Sequence, residues 1–561
     1  MEITGSEAII KAIIDEGTEV VFGYPGGAIM PCFDALFGYQ DRVKHVLVRH
    51  EQGAAHAAEG YAAASGKVGV CIVTSGPGAT NLVTGLADAM LDSIPIVCIT
   101  GQVASGLLGT DAFQEIDVVG ITTPITKWNY QITQTAEIPA VIAKAFHIAK
   151  TGRPGPVLVD ITKDAQFGLA EYVHPKNISL PTYNLENKIS AKTIKEACAM
   201  LDSAKQPMIL AGHGVTISGA EAELMQLAEK TQIPVTLTLL GLSAFPSTHD
   251  LYGGMLGMHG NYGPNKLTNQ ADVILAVGMR FDDRVTSKLS TYAQNAKIIH
   301  IDIDESEINK NMKAHLEIVA DAKAALLEII KGVKAVKHDE WKQKFKDNFK
   351  IEYDKVIENE IHPQSGELTM AEIVNELSQQ AKDNSIVVAD VGQNQMKSAR
   401  YFNFKRNRGY ITSGGAGTMG FALPASIGAK FSQPDADVYA IIGDGAFQMT
   451  IQELGTIAQE KLPVKIIILN NEYLGMVRQW QELFFDKRYS FTHLHNPDFV
   501  KVAEAYGIQA KRVAERKDLK SAIQDLIESK EPYLLEFRVS KEENVFPMVP
   551  SNASVDDVRL E

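Results

Sequence analysis

Apolar positions along this chain fall into two patterns. Short, nearly unbroken apolar runs rich in Val and Ile occur at 19–22, 46–48, 68–74, 94–100 and 157–161. They recur at 208–211, 235–239, 273–277 and 298–303, then at 385–390, before Gly443 and at 464–469. Between them lie longer stretches in which apolar residues return three or four positions apart, the period of a helix with one buried face. Strands alternating with helices form mostly parallel, doubly wound sheets, so the expected fold class is α/β with three such domains, each a central sheet flanked by helices. The text divides into 1–165, a Pro-containing linker at 166–189, 190–335, a charged helical connector at 336–366, 367–540 and a tail at 541–561. The connector, WKQKFKDNFKIEYDKVIENE, reads as a solvated helix. The first and third domains are alike in pattern but not in text, and no short-period repeat is visible.

Composition narrows the function classes. The 561 residues carry 54 Lys and Arg against 68 Asp and Glu, a net charge of −14, so nucleic-acid binding has no electrostatic support and anionic substrates would need local cations. Cys32, Cys71, Cys98 and Cys198 show no metal-binding spacing and read as reduced, buried thiols. MEITGSEAIIKAIIDEG reads as a capped amphipathic helix rather than a signal peptide, and no apolar run approaches membrane-spanning length. The expectation is a soluble cytoplasmic protein with no membrane partner.

The most informative stretch is 441–471. An apolar run ends in Gly443-Asp444-Gly445, a helical pattern follows, and a second apolar run ends in Asn470-Asn471. A crossover between parallel strands places both ends on one sheet edge, so Asp444 and Asn471 meet there. One carboxylate oxygen, one amide oxygen and nearby main-chain carbonyls make a partial shell for a small hard cation. Gly445 permits close backbone approach and the helix start offers N–H groups to an anion. An ordinary βαβ unit with a turn Asp and a capping Asn is the alternative; the paired ending, with 24 residues between its two halves, weighs against it.

Other candidates are weaker alone. Glu51 opens a helix of Ala and Gly, where burial would raise its pKa and the helix terminus would lower it; on position alone a capping glutamate is the better explanation. Phe113 and Gln114 lie in a segment that composition makes merely superficial, and Lys163 and Arg153 are local cations. Met419, in the Gly-rich turn SGGAGTMG, reads as packing. In the central domain, Gly212 and Gly214 follow a strand. Asp302 or Asp304 ends another and could accept a ribose hydroxyl; with Asp321 and Arg280 these suit a dinucleotide.

The 441–471 stretch resembles the diphosphate anchor of thiamine-diphosphate enzymes, and the resemblance narrows further. YPGGAIMP, RHEQGA, TSGPGATN, GTDAFQE, GRPGPVLVD, LGMHG, RFDDRV, SGGAGTMG, NNEYLGMVRQWQ and FPMVP occur in order over nearly the whole chain. They resemble the catalytic subunits of the acetohydroxyacid synthase family, RFDDRV with RQWQ being the specific part. The resemblance implies the three-domain thiamine-diphosphate-enzyme fold and the cofactors thiamine diphosphate, Mg2+ and FAD, the last without net redox chemistry. It implies that pyruvate is decarboxylated and its two-carbon fragment joined to a second pyruvate or to 2-oxobutyrate, giving 2-acetolactate or 2-aceto-2-hydroxybutyrate, the first common step of branched-chain amino-acid synthesis. A homodimer or homotetramer is implied, with a small regulatory subunit as a further partner.

Carried over by position, Glu51 activates thiamine diphosphate and Met419 supports its thiazolium. Gln395, Gly417, Gly445, Ala446, Gly475 and Met476 fall in the segments that hold this cofactor, and Asp444, Asn471 and the Tyr473 carbonyl are the metal ligands. Gly27, Phe113, Gln114 and Lys163 are reaction-site residues; Arg284 and Trp480 shape the second substrate's pocket. Gly212, Gly214, His259, Arg280, Asp302 and Asp321 embrace FAD. Two positions depart from the family: Ala104 stands where Pro is usual, implying altered sensitivity to herbicidal inhibitors, and Asn394 replaces a His that would contact the diphosphate. A pyruvate oxidase-like enzyme shares both organic cofactors and stays open. A flavin-binding scaffold with a dead site is disfavoured by the joint presence of Glu51, Asp444 and Asn471.

Overall fold

The structure is a computed structural model that describes residues 2–175, 177–181, 183 and 189–561. Parts of the expected linker, residues 176, 182 and 184–188, lie outside the described residues. Three six-stranded parallel sheets carry the fold. The first orders its strands Lys44–Leu47, Val20–Tyr24, Gly69–Val73, Ile96–Gln102, Val157–Thr162, Trp128–Ile132. The central sheet runs Tyr252–Met255, Val235–Leu237, Pro207–Ala211, Val273–Val277, Lys297–Asp302, Leu316–Val319. Numbered within itself this is 3-2-1-4-5-6, an order that binds dinucleotides at its switch point. The third runs Tyr410–Thr412, Ser385–Ala389, Asp437–Gly443, Lys465–Asn470, Tyr533–Arg538, Gln509–Val513. It repeats the 2-1-3-4-6-5 order of the first sheet.

Every apolar run read as a strand is one. The sequence reading omitted six further strands of these sheets, and five of them are edge strands: Trp128–Ile132, Tyr252–Met255, Leu316–Val319, Tyr410–Thr412 and Gln509–Val513. They are short, and most keep one face partly open to solvent, so no clean apolar run marks them. The sixth, Tyr533–Arg538, is interior, but Glu536 interrupts its apolar text; that carboxylate is fully buried between the Asn470 amide (2.8 Å) and Arg512 (2.8 Å). A short antiparallel pair, Glu2–Thr4 with Leu169–Glu171, was also unanticipated. The N-terminal helix Gly5–Asp15 is as expected, its cap the Thr4 hydroxyl accepting from Glu7 N (3.2 Å).

The first and third sheets dock through two small-residue helices, Glu51–Ser65 and Ala422–Ser432. Backbones approach so closely that a Cβ on Gly60 would lie 2.0 Å from the Ala425 carbonyl oxygen, and one on Gly428 1.7 Å from that of Ala57. Any larger residue at either position would force the helices apart. The connector corrects the sequence reading. Residues 339–361 are helical, but one face is buried: Trp341 and Phe345 pack beneath the central sheet, the Trp341 indole donates to the Pro207 carbonyl (2.7 Å), and Glu352 is fully buried against Arg400. Its charges alternate with a core stripe, and the charges dominated the text. All four cysteines are buried and unpaired. No helix among the described residues is long and apolar enough to cross a membrane.

Candidate active site

At the carboxyl edge of the third sheet, Gly443 is in register with Leu469, so Asp444 and Asn471 leave adjacent strands side by side. Both are buried and line one cavity of about 50 Å3 with Gly445, Ala446, Tyr473, Gly475, Met476 and Met419. Burial pushes the Asp444 carboxyl up to about 6, partly offset by the Asn496 amide, which donates to Oδ2 at 2.6 Å. Asn471 Oδ1 accepts from Tyr473 N (3.1 Å), and its amide faces Gln393 Oε1 at 3.4 Å. A buried carboxylate beside an amide oxygen, with so few cationic neighbours, is the donor chemistry a hard divalent ion requires. These residues could therefore hold Mg2+ and an anionic group on it.

Asn496 and Gln393 were missed by the sequence reading. Asn496 sits 52 residues beyond Asp444 in an irregular loop, with no local signal of its role. Asn394 donates to the Asp390 (2.7 Å) and Ile441 (3.1 Å) carbonyls. Its amide is thus engaged within the protein rather than turned to the cavity it lines.

A second cavity, of about 760 Å3, opens beyond Met419, Val391, Gly392, Met476 and Val477, which line both. Its far end lies outside the carboxyl ends of the central sheet and is lined by Gly214, His259, Arg280, Asp302 and Asp321. Gly212 stands just behind, its N–H bonded to Val277 O (3.0 Å). A Cβ on Gly214 would lie 2.6 Å from Gly278 Cα, so backbone alone forms that wall. His259 is buried, pushed down to about 3, and its Nδ1 has no partner among the described residues. An orphaned ring nitrogen, a guanidinium and a strand-end carboxylate around so large a space fit a dinucleotide. Of the two candidate strand-end acids, Asp302 faces the cavity, whereas Asp304 is held by Arg153 at 3.2 Å.

Arg284 and Trp480 line this same cavity, as do Gly417 and Gln395. Gln395 is absent from the small cavity; its amide donates to Thr412 Oγ1 (2.7 Å) and Ser413 O (3.0 Å). Trp480 packs obliquely on Phe484, ring centroids 5.2 Å apart.

The remaining candidates occupy the carboxyl edge of the first sheet and line neither cavity. Glu51 accepts from the Asn81 amide (2.9 Å) and stands over Gly78. Gln114 packs on Gly76, and Phe113 is 88% exposed. Gly27 and Lys163 are exposed on neighbouring loops. Within one chain, the two groups of candidates face different spaces.

Three parallel sheets flanked by helices, with a buried carboxylate and amide at one strand edge, are the arrangement expected of a thiamine-diphosphate enzyme. Models of that class match the chain three times: the N-terminal TPP binding domain at residues 3–121, the central domain at 194–329 and the C-terminal TPP binding domain at 390–537. Among curated relatives, the acetolactate synthase large subunit of Corynebacterium glutamicum is 47% identical, covering 99% of this chain and 90% of that protein. The acetolactate synthase large subunit of Lactococcus lactis is 44% identical over 99% of this chain and 96% of its own length. A probable acetolactate synthase large subunit from Methanocaldococcus jannaschii is 46% identical over 99% and 95%. The chain belongs to the acetolactate synthase large-subunit family of thiamine pyrophosphate enzymes.

Proposed function

We propose that this chain is an acetohydroxyacid synthase catalytic subunit, which decarboxylates pyruvate and joins the two-carbon unit to a second pyruvate or to 2-oxobutyrate. The observation that carries the reading is the shared wall: the cavity of Asp444 and Asn471 meets, at Met419, the larger one holding Arg284 and Trp480. Thiamine diphosphate, when bound, supplies the carbon nucleophile and the electron sink for loss of carbon dioxide. Asp444, Asn471 and the Tyr473 carbonyl would hold Mg2+; Gly445, Ala446 and Gly475, which line the same cavity, would face the diphosphate; Met419 would support the thiazolium. Arg284 supplies a cation for the second substrate's carboxylate and Trp480 an apolar wall for its alkyl group. Residues around His259, Arg280 and Asp302 would take FAD. Domains 1–165, 190–335 and 367–540 would thus serve pyrimidine, FAD and diphosphate in turn.

Glu51 would polarise the aminopyrimidine, and here a second copy enters. That Glu51, Gly27, Phe113, Gln114 and Lys163 line neither cavity of their own chain supports a homodimer in which the first-sheet edge of one copy closes the third-sheet edge of the other. Higher assembly and a regulatory subunit remain part of the family resemblance.

The test is to assay the purified chain with pyruvate and no electron acceptor, withholding thiamine diphosphate, Mg2+ and FAD in turn. Acetolactate formation that needs the first two is expected. Pyruvate consumption only with an acceptor present, and no acetolactate, would instead establish an oxidase.

A further inference from the structure

Between Thr412 and Ala422 the chain has no regular structure, although it lines both cavities. Its shape is imposed from outside. Asp92 uses each carboxylate oxygen on a successive amide, Oδ2 on Gly414 N (2.8 Å) and Oδ1 on Gly415 N (2.7 Å). One turn earlier on the same helix, Val83–Asp92, Asp88 Oδ1 accepts from the Ser413 hydroxyl (2.7 Å), whose oxygen in turn accepts from Thr418 N (2.8 Å). At the loop's far end, Asp390 takes Gly420 N (2.9 Å) and Ala422 N (2.8 Å).

Asp88 and Asp92 belong to the first sheet's layer, while the loop belongs to the third. Both acids are almost wholly buried. Burial pushes Asp92 up to about 6, with the two glycine amides drawing it down, and Asp88 up to about 8 with Glu59 close by. Behind Asp88, His56 Nδ1 bonds Glu59 (2.6 Å) and stands 3.9 Å from Asp88 Oδ2. Burying carboxylates is unfavourable unless they are hydrogen-bonded, and the bonds these two make all go to residues 413–415 of the loop, which line the large cavity with Asp92.

We propose that Asp92, and secondarily Asp88, are positioning residues for the thiamine diphosphate site: acting across the interface between the first and third layers, they hold residues 413–420 in the form that sets Met419 at the wall between the two cavities. The proposal rests on reading the Asp444 cavity as that site. The two acids make different demands. Position 92 needs two acceptors for two adjacent N–H groups, which an amide cannot supply. Position 88 needs one, which an amide retains.

The experiment is calorimetric titration of the full-length, cofactor-stripped protein with thiamine diphosphate at saturating Mg2+ and FAD, alongside melting of the unliganded protein. Asp92→Asn should weaken binding about tenfold or more, the scale of a lost hydrogen bond to a charged group plus an opposed donor pair, while Asp88→Asn stays within about twofold of wild type. Ser413→Ala, which cuts the link from the loop's side, should weaken binding several-fold and provides the readout if Asp92→Asn does not fold. Wild-type affinity in Ser413→Ala or in Asp92→Asn overturns the proposal, as do equal losses in the two Asn variants or a fall in melting temperature with unchanged binding. Asp444→Ala serves as reference: unaltered binding there refutes the cofactor site itself rather than the clamp.

Discussion

The first and third sheets share one strand order and are docked through one pair of small-residue helices, yet their carboxyl edges are built oppositely. On the third sheet the polar groups turn inward. Asp444 and Asn471 are buried, and they bond Asn496, Gln393 and the local backbone around a cavity. On the first sheet they turn outward: Glu51 is half-buried, Lys163 and Gly27 are exposed, and Phe113 is 88% exposed. An inward edge can hold an ion and a diphosphate through repeated turnover. An outward edge can present a carboxylate and an aromatic ring to something that arrives from outside the chain. On the proposed reading, the same scaffold would yield an anchor in one layer and an activating face in the other, each completed by the opposite edge of a second copy.

The largest expected effect tests that division directly. Glu51→Gln keeps the shape and removes the ionisable group, and turnover should fall about 10²–10⁴-fold, the range for a positioned acid–base group. Thiamine diphosphate affinity, set at the other edge, should change far less. An unchanged rate would mean that Glu51 does no more than hold the Asn81 amide, since His50 already caps the helix. The cross-chain arrangement has its own measurement. Co-expressed Glu51→Gln and Asp444→Ala chains, each inactive alone, should recover about a quarter of wild-type sites, because half the dimers are mixed and each of those has one intact site. No recovery would place both edges' partners within one chain.

Next in size is the effect of burial on Asp444. Its carboxyl is raised from 3.8 to about 6, so between those values the folded protein holds a proton that the unfolded chain has released. Stability of the metal-free protein should therefore fall as pH rises through this window, with the full deficit present above about pH 6. Asp444→Asn, which resembles the protonated acid, should stabilise the metal-free protein at pH 7 by up to about 3 kcal/mol and abolish Mg2+-dependent cofactor retention. A stability gain that is absent at pH 7, or that grows toward acid pH, would show that the carboxylate is not strained by burial.

The contrast between the two edges also explains what the sequence made legible. The anchor could be read because one crossover brings Asp444 and Asn471 together, so spacing alone carries the geometry. Interior strands were legible through their apolar runs, whereas edge strands such as Leu316–Val319 and Gln509–Val513 were not, since half their side chains face water. The partners that complete each place come from distant text. Asn496 on Asp444, Gln393 on Asn471, and Asp92 on Gly414 and Gly415 are brought in by tertiary packing, and each of these residue types is common in ordinary loops and helix ends. Glu51 was ambiguous for a related reason: its meaning depends on what faces it, and the partner its own chain gives the carboxylate, the Asn81 amide, is not marked in the text.

The smallest expected effect concerns choice of the second substrate, which the proposed reading assigns to the large cavity rather than to either edge. Trp480 is only partly buried and rests on Phe484, so its indole offers a wall on one side of a space it shares with Arg284. Arg284 would take the carboxylate common to every 2-oxo acid and cannot distinguish pyruvate from 2-oxobutyrate. The distinction is one methylene, worth about 1–3 kcal/mol in a closed apolar pocket and nearer the lower figure against a half-open one. Trp480→Leu should therefore lower the preference for 2-oxobutyrate by roughly fivefold to tenfold in a competition of the two acids, read as the ratio of products. Total turnover should fall less than in Glu51→Gln, because the anchor and the activating carboxylate are untouched. An unaltered product ratio would move the selecting surface elsewhere in the cavity, and a collapse of turnover without a change in ratio would make Trp480 a support for the cofactor rather than a wall for the substrate.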